Sequence, residues 1–270
     1  MRLTQAEVAT GICTQPTISN IERKHTCDKM EIFRPICERL NLLVDECMQE
    51  DAKKIEMELM YVAGLCDEGK YKAAYELLAD KSMDISISDQ LVKAKYFYYQ
   101  GLVHLYGNGD SQQALILFKL GFETIERDTI YKSLCLKNIG QIYEQELSRS
   151  KACYYYQKAI QVAEKQALSY PREQCKVYYD CACFFSSIGN YSEALFSCRL
   201  GLAINSQLES MYFLPNLLYE QAKGLEKVGM YPAEEYHEAY YIARYLRDLK
   251  LADEIERSVQ NWPLLAEERL

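Results

Sequence analysis

The stretch Gly69-Lys70-Tyr71-Lys72-Ala73-Ala74 recurs as Gly189-Asn190-Tyr191-Ser192-Glu193-Ala194, and in part as Gly229-Met230-Tyr231-Pro232-Ala233-Glu234. Degenerate copies, Gly109-Asp110-Ser111-Gln112-Gln113-Ala114 and Ser148-Arg149-Ser150-Lys151-Ala152, fill the interval. Ala74, Ala114, Ala152 and Ala194 thus follow one another at spacings of 40, 38 and 42. A period of about forty residues marks a stacked-repeat protein, in which each unit buries its apolar face against the next. Ahead of each turn from the second onward stands a small residue, Gly101, Gly140, Ala182 or Ala222, 12 or 13 residues before the turn alanine or its equivalent. A minimal side chain at that point lets two helices approach closely. After each turn apolar residues return at helical spacing, as in Ala114, Leu117, Phe118 and Phe122, or Ala194, Leu195, Cys198 and Leu202. Each repeat reads as a helical hairpin, and the predicted fold class is all-α.

Composition agrees. The 270 residues include only 12 glycines and 6 prolines, few for the tight turns of a β protein. A hydrophobic share of 49% and a charged share of 26% describe a chain that folds, not a disordered one. The net charge of −8 supplies no general basic field, so any nucleic-acid site has to be local. No apolar run has membrane-spanning length and the N-terminus lacks the apolar stretch of a signal peptide, which predicts a cytoplasmic protein. The eleven cysteines form no Cys-x-x-Cys pair and read as reduced thiols, many of them in the core. His25, His104 and His237 lie far apart, so neither a metal nor another cofactor is expected. A Gly-rich phosphate loop, a nucleophile elbow and a spaced carboxylate pair are all missing from the sequence, and no enzyme is predicted.

Residues 1 to about 47 follow a different grammar, of short helices with sharp breaks. Thr4 suits the N-cap of a first helix with Leu3, Val8 and Ile12 as apolar positions. After Gly11 to Gln15, Pro16 to Arg23 predicts a second helix, with Pro in its first turn and Ile18 and Ile21 on one face. A third runs from about Met30 to Leu40, and Pro35 is expected to kink it or to mark its true start. This is the layout of a helix-turn-helix module. Leu3-Thr4-Gln5 followed by Gln15-Pro16-Thr17-Ile18-Ser19-Asn20-Ile21-Glu22 resembles the Cro/CI-type family. That resemblance implies that Gln15, Thr17 and Asn20 face base edges, while Gln5, Arg23 and Lys24 lie nearer phosphates. Members of that family carry a further helix before Leu-Thr-Gln, so the module is expected to be truncated at its N-terminus. Residues 1–50 hold six basic and eight acidic side chains, a balance that opposes counterion-driven affinity. Binding to a double-stranded operator is therefore expected to be weak for this chain.

Residues 52 to 248 resemble the tetratricopeptide repeat, whose signature is a small residue in the first helix and Gly-x-Tyr-x-x-Ala at the turn. The resemblance implies a right-handed superhelix of about five hairpins, with the first helices on its concave side. Leu249 to Leu270 would form a capping helix, with a stop at Trp262-Pro263. Peptide-binding members use an Asn two residues before the small packing residue, the position of Asn138 here, because a carboxamide offers a donor and an acceptor to an extended peptide. Tyr99, Asp180 and Glu220 hold that position in other repeats, and Lys95, Lys176 and Asn216 stand one turn earlier, with Lys137 beside Asn138. Tyr99, Tyr179 and Tyr219 supply flat surface with a polar tip. The candidate peptide-binding residues are therefore Asn138, Asp180, Asn216, Tyr99, Lys137, Lys176, Tyr179 and Tyr219.

A Cro-like module ahead of such repeats resembles the RRNPP (Rgg-PlcR-PrgX) family of peptide-responsive quorum-sensing regulators, and its PlcR-like members in particular. The resemblance implies residues 1–47 as the DNA-binding module and 48–270 as the peptide-binding and dimerisation domain. It implies a transcriptional regulator working as a homodimer, whose DNA-binding state changes when a short signalling peptide binds. PlcR-like members carry basic residues in the first repeat turn where Asp67 and Gly69 stand here, so a different peptide is expected. The acidic balance leaves an alternative, a Rap-like repeat scaffold that binds a protein partner without DNA.

Overall fold

The computed structural model describes residues 3–24, 27, 29–42, 44–79, 89–165 and 171–259, and it is helical throughout these, with no strand among the described residues. The chain divides into two compact units, Met1–Thr124 and Ile125–Leu270.

In the first unit, α1 (Gln5–Ala9), α2 (Gln15–Lys24) and α3 (Met30–Leu40) come first. Thr4 caps α1 as its sequence predicts. Its hydroxyl accepts from the Glu7 amide at 3.3 Å while the Glu7 carboxylate accepts from the Thr4 amide at 2.7 Å, a reciprocal capping box. The Thr4 amide, together with the Thr4 hydroxyl that donates to the same carboxylate at 2.8 Å, holds the Glu7 carboxyl below its ordinary range. Gly11, at φ +72°, makes the turn toward α2. Val8, Ala9, Ile18 and Ile36 form the small core of the three helices, with Ile12, Cys13, Ile21 and Ile32 around it. Arg39 ties α3 to the end of α1, donating to the Glu7 and Val8 carbonyls at 3.2 and 3.0 Å and also to that of Thr10. These are carbonyls that a short helix cannot satisfy internally. Pro35 neither starts nor ends α3, which runs through it. Its missing N–H removes one hydrogen bond, and the helix continues on the apolar face that Ile32 and Ile36 present.

The repeats follow. α4 (Val44–Asp67) is a single 24-residue helix, and residue 47, where the change of grammar falls, lies inside it. It pairs with α5 (Tyr71–Ala79) across Gly69 at φ +72°. The second hairpin is α6 (Gln90–Leu102), prolonged by a π-helical turn over Val103–Asn108, and α7 (Ser111–Thr124). The packing point lies where the repeat predicts: a Cβ on Gly101 would stand 2.5 Å from the Phe118 ring. Gly107 is a second close approach, since a Cβ there would meet the Tyr71 carbonyl oxygen at 2.6 Å.

The second unit has α8 (Ile130–Gln145) with α9 (Arg149–Glu164), α10 (Glu173–Ser187) with α11 (Tyr191–Leu208), and α12 (Leu214–Lys227) with α13 (Ala233–Tyr245). The first helices pack in register, α8 on α10 and α10 on α12. Ala182 and Ala222 are fully buried at their packing points, and a Cβ on Gly140 would lie 3.1 Å from Tyr156. The turns use Gly189 and Gly229 in the left-handed region, but Leu147 occupies the equivalent position in the α8–α9 turn at φ +57°. α14 (Leu249–Ser258) closes the unit, burying Leu251, Ala252, Ile255 and Val259 against Tyr236, Ala239 and Ala243. The stop expected at Trp262-Pro263 lies outside the described residues. Five hairpins and a closing helix are thus the architecture that the forty-residue period predicts.

Candidate functional site

Two sets of residues are placed by these elements. In the first, α1 and α2 bring the amides of Gln5 and Gln15 together. Gln15 donates to Gln5 Oε1 at 2.7 Å, and Gln5 donates to the Glu22 carboxylate at 2.5 Å. Thr17 shares a hydrogen bond with Thr14 at 2.8 Å, and Asn20 accepts from Arg23 at 2.8 Å. Gln15, Asn20 and Arg23 are exposed on α2. Five of the six candidates of this group thus fall in three separate hydrogen-bonded sets, while the Lys24 side chain lies outside the described residues. Glu22, which sequence reasoning gave no role, orients the two glutamines through this bond.

The second set lies on the first helices of the second unit. Lys137 is 2% exposed, and its ammonium meets the Asp180 carboxylate at 2.8 Å and donates to Asn138 Oδ1 at 3.1 Å. The Asn138 amide in turn donates to the Leu134 carbonyl at 2.9 Å. Asn138 is fully buried, so the structure places it beneath the surface as part of the support of this ion pair. Asp180, with a quarter of its side chain exposed, is the member of the cluster that solvent reaches. On α12, the next first helix, Glu220 is buried and its carboxylate meets Lys223 at 2.5 Å. Between them, burial pushes the Cys183 thiol up to about 12, with Glu220 adding to the shift. Burial also raises the Tyr179 phenol, and Cys183 and Glu220 act in the same direction. Alternating charges and hydrogen-bonding groups thus run across α8, α10 and α12.

Tyr219 lies in the core: it is 5% exposed, packs with α13 and α14, and shares a 2.7 Å hydrogen bond with Ser258. Tyr179 and Lys176 face the loop before α12, where Tyr179 lies 5.4 Å from the Phe213 ring and the Lys176 ammonium 5.8 Å from it. Asn216 is half-buried on the first turn of α12. In the other unit, Tyr99 is half-buried on α6 and meets the Tyr98 ring edge-on at 5.0 Å. Sequence reasoning missed Phe213, Tyr212 and Arg172, whose guanidinium lies 5.1 Å over the Tyr212 ring. The one available signal was the aromatic pair directly ahead of Leu214-Pro215, a helix start.

No group of three or more His, Cys, Asp and Glu among the described residues is placed to hold a metal ion. No helix among them is long and apolar enough to cross a membrane.

Stacked antiparallel helix pairs of about forty residues, with small residues at their crossings and left-handed turns between them, define a tetratricopeptide-type repeat protein. The sequence model of the RNPP family C-terminal domain matches residues 68–257, and the chain belongs to that family. Two solved structures of Bacillus thuringiensis PlcR share its fold. The apo form matches with a TM-score of 0.67 at 16% identity, covering 95% of each chain. The complex with the peptide PapR7 and DNA matches with a TM-score of 0.60 at 20% identity, covering 95% of this chain and 93% of that one. No curated protein sequence matches the chain significantly.

Proposed function

We propose that this chain is a DNA-binding transcriptional regulator whose repeats bind a short signalling peptide, and that the peptide changes the DNA-binding state of a homodimer. The observation that carries the reading is the row of partly buried polar side chains, Asp180, Tyr179, Lys176 and Asn216, on consecutive first helices of a chain of the RNPP family. An extended peptide has unpaired amides and carbonyls along its whole length, and such a row meets them without requiring the ligand to fold. PlcR binds the peptide PapR7 and DNA, and the shared fold makes the same pair of ligand classes the first to test. In this reading residues 1–47 read DNA, through Gln15, Thr17 and Asn20 at base edges and Gln5, Arg23 and Lys24 nearer phosphates. Residues 48–270 hold the peptide and the second copy. Asn138 and Lys137 act from below, holding Asp180 in place.

Two selections on the full chain test it. A synthetic pool of randomised heptapeptides is passed over the protein and the retained members are read by mass spectrometry. A pool of randomised duplex DNA is then selected with and without the retained peptides, at two salt concentrations. Retained peptides together with a repeated, salt-sensitive half-site are the expected result. The excess of acidic side chains in residues 1–50 favours a second reading, a repeat scaffold that grips a partner without DNA. Peptides retained with no duplex selected at either salt concentration would establish that one instead.

A further inference from the structure

α4 has two faces, and only one of them is used within the chain. Leu59, Val62 and Cys66 are buried, and the helix packs against α5 and α6. On the opposite face Met57, Met60 and Tyr61 stand three and four residues apart, one turn above another. They are 72%, 64% and 64% exposed, so nothing in the chain covers them. Gly64, one turn further along the same face, has no neighbouring atom within 4 Å of where a Cβ would stand. Charge is spread unevenly along this stripe. Lys54 is exposed at its start, and Asp67 and Glu68 are exposed at its end. Glu56, the exposed carboxylate closest to Lys54 in sequence, is turned to Lys95 of α6 at 3.9 Å. Glu68 meets Lys70 at 2.6 Å with both side chains largely exposed, a pair that water screens and that another cation can replace. The midpoint between Lys54 and Asp67 or Glu68 falls at Met60 and Tyr61. The stripe therefore runs positive, apolar, negative, centred on its bare side chains. Such a pattern complements its own reverse: an antiparallel copy brings an acidic end to Lys54, whereas a parallel copy sets like against like.

We propose that this stripe of α4 docks a second copy of the chain, helix against antiparallel helix, with Met60 and Tyr61 beside the two-fold axis. Lys54 of each copy then lies level with Asp67 and Glu68 of the other. The inference rests on the homodimer in the reading above and names the surface that makes it. The apolar centre supplies the attraction as it leaves water, and the charged ends fix direction and register.

Sedimentation equilibrium of the full chain should show a dimer, in which a zero-length carbodiimide reagent joins Lys54 to Asp67 or Glu68. Along one helix Lys54 and Asp67 are about 20 Å apart, so only another copy brings those groups together. Met60→Glu sets two like charges face to face at the axis and should weaken the dimer about tenfold or more, with helix content unchanged by circular dichroism. A chain carrying Lys54→Glu and a chain carrying Asp67→Lys with Glu68→Lys should each associate poorly alone and well when mixed, which a loss of folding does not produce. A dimer that persists in Met60→Glu, or cross-links that join only other residues, would give the stripe to a different occupant. That result would overturn this inference and leave the homodimer standing. A parent chain that sediments as a monomer at every concentration would overturn both.

Discussion

Lys137 and Asp180 make an asymmetric pair, because the ammonium is 2% exposed and the carboxylate a quarter exposed. Removing the carboxylate takes away the charge that offsets a buried cation, whereas removing the cation leaves an acid that water can reach. Asp180→Asn is therefore expected to cost about 3 kcal/mol and Lys137→Met about 1 kcal/mol or less, in urea unfolding followed by circular dichroism. Equal costs would mean that the carboxylate is as desolvated as its partner. Leu147 gives a residue-scale prediction of the opposite sign. It is 91% exposed in left-handed backbone, at the position that Gly69, Gly109, Gly189 and Gly229 hold in the other hairpins. Leu147→Gly gives up almost no burial and relieves the contact between Cβ and the backbone. It is expected to raise stability by about 0.5 to 1 kcal/mol, read as an upward shift in urea midpoint. The contrast between these sites also marks what a sequence reveals at this scale. Asn138 was legible as a special residue from its place two before Gly140, but its burial was not. Burial depends on the side chains that α10 lays over α8, and no local pattern reports them.

At the scale of elements, each hairpin depends on how closely its helices cross, and the glycines sort themselves accordingly. Gly101 admits the ring of Phe118, which is itself fully buried and has no room to withdraw. Gly101→Ala should therefore lose about 1 to 3 kcal/mol to overpacking, more than the helix propensity it gains. Gly64, exposed in the last turn of α4, has nothing within 4 Å of where a Cβ would be. Gly64→Ala keeps only the propensity gain and should stabilise by up to about 1 kcal/mol, both changes being read in urea unfolding. Opposite signs for two Gly→Ala changes in one protein would locate the crossing point without a structure. The hairpins themselves were legible because a turn signature repeated every forty residues reports local chemistry: a left-handed residue, a Tyr, an Ala that must fit under a neighbour. The third repeat lost the Gly and kept the Ala, and Ala152 is still fully buried. The loop carrying Phe213 escaped notice for the converse reason. Nothing in Tyr212-Phe213 as a dipeptide calls for left-handed backbone, which is imposed by Asn205 from the preceding helix.

The division of the whole molecule at Thr124–Ile125 was not legible, because the turn signature continues across it with its usual spacing and only packing interrupts. The second unit holds a population of buried titratable groups, and these set the response to alkali. Burial raises Cys175 to about 11 and Cys183 to about 12, and it pushes Cys135, Cys181 and Cys198 up as well. The phenols of Tyr156, Tyr179 and Tyr236 are raised by the same cause, Tyr156 also by Glu144 and Tyr236 also by Glu226. A thiol in the unfolded chain ionises near its ordinary value of 9.0, while the folded thiol keeps its proton beyond that. Above this pH the unfolded state binds fewer protons than the folded one, so the free energy of unfolding falls as pH rises. Below it both states hold the proton and these groups contribute no slope. The urea midpoint should therefore be level from pH 7 to 8 and fall progressively between pH 9 and 12. Cys183→Ala, which removes one such group at a half-buried position, should make that fall shallower by up to one proton while leaving the neutral plateau level. A midpoint that rose between pH 9 and 11 would mean that the thiols ionise more easily inside the fold than outside it, and that the hairpins do not exclude water from the faces they share.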